Sequence, residues 1–331
     1  MDIRTISNPG HMDVLQVVGD GLIVEFLPEK GGDIYKICID RTNILWESPW
    51  GISKLGNRID FCHTSKERWL QSYPGGWQIL FPNAGDDSYN YGVMHNFHGE
   101  ACQVPWTYKL GEVTDTKVQI IFSTLLYKSP FAMERIVTID QVEQCIELKE
   151  SVTNQGQQAL YAEWGQHIAF GAPFIGPGTR LEAPARSVES YERDSELSRL
   201  KKGVFSWPIE DMGCDLGHVP SGKATDFAIL KELTMGCYTI INDKMDLRVR
   251  VEWDVDTMPN LWLWQEFNGL QDYPFYGACY VMGVEPNSAS HEAGLQESIQ
   301  RGEAIVIKAQ QTKSFALKLS WSSSMNGSHA T

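Results

Sequence analysis

The sequence predicts an all-β protein, a large antiparallel sandwich or barrel. Three observations carry this: a dominant period of two, scarce helical patterning, and Gly, Asn and Pro between short apolar runs. The clearest run is "LRVRVEWDV", where Leu247, Val249, Val251, Trp253 and Val255 alternate with Arg248, Arg250, Glu252 and Asp254. Such alternation belongs to a strand with one face on a core and the other in water.

The remaining strands follow in chain order. Residues 22–26, 33–39 and 132–139 are strand candidates. "KVQIIFSTL" alternates through Val118, Ile120 and Phe122, and "CIELKESVTN" through Ile146, Leu148 and Val152. Residues 238–241, 278–284 and 304–308 are further strands, and "SFALKLSW" repeats the alternation with Phe315, Leu317, Leu319 and Trp321. "SYERDSELSRLKKG" (190–203) reads either as one short helix ending at Gly203 or as a charged surface loop. No linker and no internal repeat divides the chain, so one domain over residues 1–321 is expected, with a frayed, polar tail over 322–331.

Composition excludes several function classes. The chain has 331 residues, 42% of them hydrophobic, enough for a large core. Its net charge of −14 makes nucleic acid and anionic membranes poor partners. "MDIRTISNPGHMDV" lacks the charged start and apolar run of a secretory signal. No run approaches the ~18 consecutive apolar residues of a membrane span. Seven cysteines, an odd number without C-x-x-C, fit reduced thiols and a cytoplasmic location.

Eleven tryptophans is a high count, and Trp50, Trp69, Trp77, Trp106, Trp164, Trp262 and Trp264 flank loops. They either fill a sandwich core or form the flat wall that suits the C–H face of a sugar ring. "HNFHGEACQVPW" (95–106) sets two histidines three residues apart. Zinc takes three or four ligands, and no other Cys/His pair lies nearby at ligand spacing, so no metal is expected at His95 and His98. Taken alone, His167 in "AEWGQHIAFG" reads as a packed, hydrogen-bonded histidine, and Glu285 in "MGVEPNSA" as an acid at the end of an apolar strand, pointing into a loop rim. "PEKGGD" precedes a strand and reads as a turn; no nucleophile elbow, P-loop or dinucleotide fingerprint occurs.

In order, several segments resemble the aldose 1-epimerase (galactose mutarotase) superfamily, and most closely its divergent branches near the hexose-6-phosphate epimerases. "GLIVEFLPEKGGDIYKICID" is similar to the opening strand pair, "YPGGWQILFPNAG" to the loop GG-x-x-x-x-x-P-x-x-G, and "FHGEACQVPW" to HG-x-x-R-x-x-x-W. "ESVTNQGQQALYAEWGQHIAF", "ATDFAIL", "LWLWQEF" and "GVEPNSA" resemble the segments that carry the second histidine, the sugar-binding aspartate, the closing strand and the Glu-Pro pair. The resemblance runs from about Gly21 to Lys308 and implies a large antiparallel β-sandwich of supersandwich type. It implies Glu285 as general base, His167 as acid, His98 as the holder of the ring oxygen or a hydroxyl, and Asp226 as a sugar contact.

Two family arginines are absent. The first loop reads Asn83-Ala84-Gly85-Asp86-Asp87, and Cys102 stands where HG-x-x-R has its arginine. Arginine forks bind hydroxyls and phosphates, so their absence argues against a sugar phosphate. Asn83, Gln78 and Arg68 are candidates to fill the gap, with Trp77, Trp264 and Gln265 as further sugar contacts. The implied activity is interconversion of sugar anomers at C1 by acid–base catalysis, which needs no cofactor. Another carbohydrate activity on the same scaffold, or a sugar-binding module without turnover, are the alternatives.

Overall fold

The computed structural model describes residues 1–8, 11–54, 62–191, 195–208 and 215–323. The regular structure of the described chain is mostly antiparallel sheet. The larger sheet runs, edge to edge, through Asp2–Ile6, Val14–Val18, Leu22–Leu27, Asp33–Ile39, Trp77–Leu80, Gly165–Gly171, Tyr280–Asn287, Asn260–Phe267, Ala224–Lys231, Ser187–Ser190 and Gly203–Ser206, with Thr42–Asn43 paired beside Asp33–Ile39. The smaller sheet runs through Arg180–Glu182, Cys237–Asn242, Leu247–Trp253, Thr312–Ser322, Cys145–Asn154, Phe131–Asp140, Lys117–Leu125 and Thr107–Val113.

The sheets stack face to face because both present apolar residues at alternate positions. Phe26 meets Phe122 across the interface at 5.5 Å between ring centroids, and Trp164 meets Phe315 at 5.9 Å. The Leu247–Trp253 strand alternates buried and exposed along its whole length, as its sequence requires. A buried polar cluster lies between the sheets. Arg135 Nε donates to Glu150 at 2.8 Å, Glu150 also accepts from Trp164 Nε1 and Gln166 Nε2, and Gln166 accepts from Trp77 Nε1. A buried charge pair of this kind is tolerated only with such additional hydrogen bonds. Here it ties the inner face of the Gly165–Gly171 strand to the opposite sheet.

The structure corrects several sequence readings. Among the described residues, 195–202 form turns and bends, so no helix is present there; the segment joins Ser187–Ser190 to Gly203–Ser206. Residues 192–194 lie outside the described residues, as do Cys214 and the tail from residue 324 onward, while Ser322 belongs to the last strand. Two helices that the period-two reading passed over, Ser65–Ser72 and Leu295–Arg301, are present. The first starts on a capping signature, "TSKE": Thr64 accepts from Glu67 N at 3.1 Å, and Glu67 Oε2 accepts from His63 N at 2.8 Å.

Candidate active site

The central strands of the larger sheet are buried on both faces. Period two still divides their side chains. Ile79, Gln166, Ile168, Val284, Met282 and Leu263 point to the core between the sheets, and the residues between them point to the opposite face. Gly165 pairs with Asn287 and Ala169 with Gly283, which sets His167 opposite Glu285. His167 pairs in turn with Gln78, Glu285 with Trp262, and Trp262 with Ile229. One transverse row, Gln78–His167–Glu285–Trp262–Ile229, therefore crosses five strands on the outer face.

Glu285 is not the loop-rim acid that its sequence context suggests. It lies inside the Tyr280–Asn287 strand at 2% exposure, with Oε1 3.5 Å from His167 Nε2. Pro286, which has no N–H to give, lies in the interval between the pairs Gly165–Asn287 and Ala169–Gly283. Space for the carboxylate comes from Gly283, since a Cβ there would stand 2.6 Å from Glu285 Oε1 and 3.3 Å from Trp264.

A short helix closes one side of the row. Lys66, Trp69, Leu70 and Tyr73 fall at i, i+3, i+4 and i+7, one helical face. Trp69 stacks on Tyr73 at 4.4 Å and meets the His98 and His167 rings edge-on or tilted at 4.6 and 5.5 Å. The Tyr73 hydroxyl stands 3.2 Å from His167 Nδ1. A phenol both donates and accepts, so it can partner Nδ1 in either tautomer and leaves Nε2 free to hold or release a proton toward Glu285.

His98 enters from the loop between the short strand Val93–His95 and residue 99. Its backbone is left-handed, φ 60°, an uncommon conformation for a residue with a Cβ. The side chain pins it there: Nδ1 lies in hydrogen-bond contact with the Ala84 carbonyl, so it carries the proton and Nε2 is left as an acceptor. Ala84 is held in turn by its N–H to Glu163 Oε2 at 2.7 Å, and Glu163 Oε1 accepts from Ser298 at 2.6 Å.

Burial dominates the electrostatics. It pushes the Glu285 carboxyl well above the ordinary carboxylate range. It also lowers His167 to about 3, with the buried Lys30 acting in the same direction, and drives His98 well below the usual imidazole value. Both shifts favour a neutral acid beside a neutral imidazole over the ion pair. That pair holds as many protons as a carboxylate beside an imidazolium, so the two forms interconvert by a single transfer between Oε1 and Nε2.

His98, His167, Glu285 and Trp264 line one cavity of about 260 Å³, with Trp69, Phe97, Phe227, Trp262 and Phe275 among its walls. The structure does not bring the other sequence candidates to it. Trp77 lies in the core between the sheets. Gln78 sits in the same row but is fully buried behind Trp69, accepting from its Nε1 at 3.2 Å and donating to Asp33 at 2.6 Å. Asn83 spends its amide on the carbonyls of Gly85, Asp86 and Asn96, and its oxygen on Leu295 N. Asp226 and Gln265 face each other across paired strands, on the opposite side from Phe227 and Trp264, and both are engaged by Arg199. Arg68 is an exposed residue of the helix that does not line the cavity.

Sequence reading passed over Tyr73, Lys30 and Asp33. The helical spacing from Lys66 to Tyr73 is the signal that could have found the first. Lys30 and Asp33 form a buried pair at 2.9 Å beneath Gln78, and Lys30 also donates to the Cys102 carbonyl at 3.1 Å. A buried cation thus lies at the backbone of Cys102, the position where the resembling family carries its arginine. His95 faces away from the site and lines a different cleft, with Tyr91, Lys128 and Tyr161. Among the described residues, no three His, Cys, Asp or Glu side chains gather as a metal site.

A family profile described as "Domain of unknown function (DUF4432)" matches residues 10–321. The chain belongs to this DUF4432 family. Nothing among curated proteins matches it. Solved structures share its fold. A galactose mutarotase-like protein from Clostridium acetobutylicum aligns over 97% of this chain and 98% of its own, with 16% identity and a TM-score of 0.67. A protein from Klebsiella pneumoniae, provisionally named an aldose 1-epimerase, aligns over 94% of this chain and 79% of its own, with 16% identity and a TM-score of 0.72. A galactose mutarotase-like protein from Lactobacillus casei covers 93% of this chain with its full length, at 16% identity and a TM-score of 0.60. The DUF4432 chain therefore has the galactose mutarotase-like fold, an all-β antiparallel supersandwich.

Proposed function

We propose that this DUF4432 protein is an isomerase that interconverts the anomers of an unphosphorylated aldose. The observation that carries the reading is the Glu285–His167 pair, 3.5 Å apart in a buried, aromatic-walled cavity that His98 also lines. Mutarotation opens the pyranose ring to the free aldehyde. One group takes the proton of the C1 hydroxyl while another protonates the ring oxygen; C1 then rotates and the ring closes on the other face. Glu285 and His167 hold one transferable proton between them, as this push–pull step requires. A sugar hydroxyl donating to the carboxylate stabilises its charged form, which moves the shared proton to His167 and readies Glu285 as base. His98 Nε2, an acceptor, orients a hydroxyl. Each proton-transfer partner of this kind contributes typically ~10²–10⁴-fold.

The cavity lining supports an unphosphorylated substrate. Among the described residues Lys66 is its one lysine or arginine, already 3.6 Å from Asp86, and Glu285 and Glu292 lie on the same lining. These residues offer a dianionic phosphate no surplus of positive charge. The test is a ¹H NMR exchange screen of anomeric protons across a panel of free sugars and their 6-phosphates. Accelerated exchange of a free sugar supports the reading. Binding without acceleration makes the protein a sugar-binding module, and acceleration only of phosphates removes the substrate assignment.

A further inference from the structure

The walls of the cavity are drier than a site for a fully hydroxylated hexose requires. Among the described residues, nine of those lining it are Trp, Phe, Leu or Pro, and none is Asn, Gln, Ser, Thr, Asp or Arg, the side chains that ordinarily meet sugar hydroxyls. Two of the indoles have no N–H to offer. Trp69 Nε1 donates to Gln78 and Trp262 Nε1 donates to the Ala289 carbonyl at 2.8 Å, so both turn ring carbon to the cavity. The amides nearest the site, Gln78 and Asn83, are likewise spent within the protein.

The polar groups that remain are segregated. His167, Glu285 and His98 stand together at the floor, where C1 and the ring oxygen must lie for proton transfer. Among the described residues, Lys66, Tyr273 and Glu292 complete the polar lining; Lys66 is exposed and ion-paired and Tyr273 is half exposed. The positions between are Phe97, Phe227, Leu270 and Phe275. A hydroxyl buried against such carbon loses its water without gaining a partner, whereas a methyl there gains contact.

Resting on the epimerase reading of the same floor residues, we propose that the site selects a 6-deoxyhexose, whose C5 carries a methyl group, over the corresponding hexose with its hydroxymethyl group. The ring oxygen is bonded to C5, so fixing C1 and the ring oxygen at Glu285 and His167 brings the C5 substituent against the apolar wall.

The experiment uses matched pairs that differ only at C6: D-galactose with D-fucose, L-galactose with L-fucose, D-glucose with D-quinovose, and L-mannose with L-rhamnose. Two quantities are read for each sugar on the full chain: kcat/KM for anomer exchange by NMR, and Kd by ligand-observed titration. The expected result is that the best pair favours its deoxy member by about 10–100-fold, the range over which an apolar pocket discriminates a single small group. The variant Leu270→Gln, at a half-buried loop position, should lower that ratio several-fold by supplying a hydroxyl partner. Deoxy preference in Kd without accelerated exchange sustains the specificity and removes the epimerase activity. Exchange that is equal for both members, or faster for the hexose, overturns the specificity and leaves the epimerase. Absence of both binding and exchange across the panel overturns both.

Discussion

Glu285 and His167 lie on neighbouring antiparallel strands in direct register, with 3.5 Å between Oε1 and Nε2, a distance at the outer limit of a hydrogen bond. The two groups are close enough to share a proton and open enough to admit substrate oxygens. Everything expected of the site follows from that spacing and from the burial around it.

Glu285→Gln keeps the size and the hydrogen-bonding edge of the side chain but cannot exchange a proton. It should lower kcat at least ~10²-fold with little change in KM. His167→Asn should do the same, and the double variant should be far less impaired than the product of the two, since both act in one step. A Glu285→Gln protein that melts normally and turns over within a few-fold of wild type would remove the carboxylate from the chemistry.

The pH profile distinguishes the buried pair from free groups. A free carboxylate and a free imidazole would give an acid limb from Glu285 and an alkaline limb from His167. Burial works against this, because it raises Glu285 and lowers His167, favouring the neutral form of each. The pair should gain a second proton only toward pH ~3 and lose its one proton only well above the usual carboxylate range. Measured kcat/KM should then show no acid limb near pH ~6.5, where an unperturbed histidine titrates. An acid limb there would contradict the lowered histidine.

His95 separates stability from catalysis. Burial lowers it to about 4, with Lys128 adding to the effect. A histidine whose folded pKa lies below its unfolded value takes up protons on unfolding. Its contribution to stability is intact above about pH 6.5 and is lost as pH falls toward the folded value, by about 1.4 kcal/mol per pH unit. His95→Leu should therefore lose less stability than wild type between pH 7 and pH 5 in urea titrations, with kcat unchanged. His98→Ala should lower activity at least tenfold, and chelators should affect neither protein. Metal-reversible inactivation by a chelator would return the two histidines to a metal site.

Gly283→Ala tests the space around the carboxylate. The new methyl would stand 2.6 Å from Glu285 Oε1, so the end of that side chain must move. Since a displacement of ~1 Å can cost ~10²-fold, kcat should fall by one to two orders of magnitude while the melting temperature stays near wild type. Unchanged turnover would show that the carboxylate position is not critical.

Asp226→Asn tests which face of the sheet holds the sugar. Asp226 is buried and accepts from both the backbone N–H and Nε of Arg199 at 2.7 Å. Breaking it should cost up to about 3 kcal/mol, the low end for a buried pair because Arg199 is partly exposed. KM should change little. A large rise in KM in a protein of unchanged stability would instead make Asp226 a sugar contact.

Much of this protein was determined locally. Alternation of apolar and polar side chains is a property of neighbouring residues, so strands such as Leu247–Trp253 and Cys145–Asn154 could be read directly, and with them the all-β class. The candidates His98, His167 and Glu285 came from ordered segments resembling a known family. Alternation also ensures that Asp226 and Phe227, or Trp264 and Gln265, point to opposite faces. It does not say which face holds the cavity, because the central strands are buried on both sides and show no apolar–polar contrast. Tertiary structure decided that question, by placing Arg199 over Asp226 and Gln265 and the helix bearing Trp69 over the other face. It also decided the charge states. A carboxyl in an unfolded chain is solvated wherever it stands, and only the packing of two sheets and a helix around Glu285 removes the water that would keep it ionised.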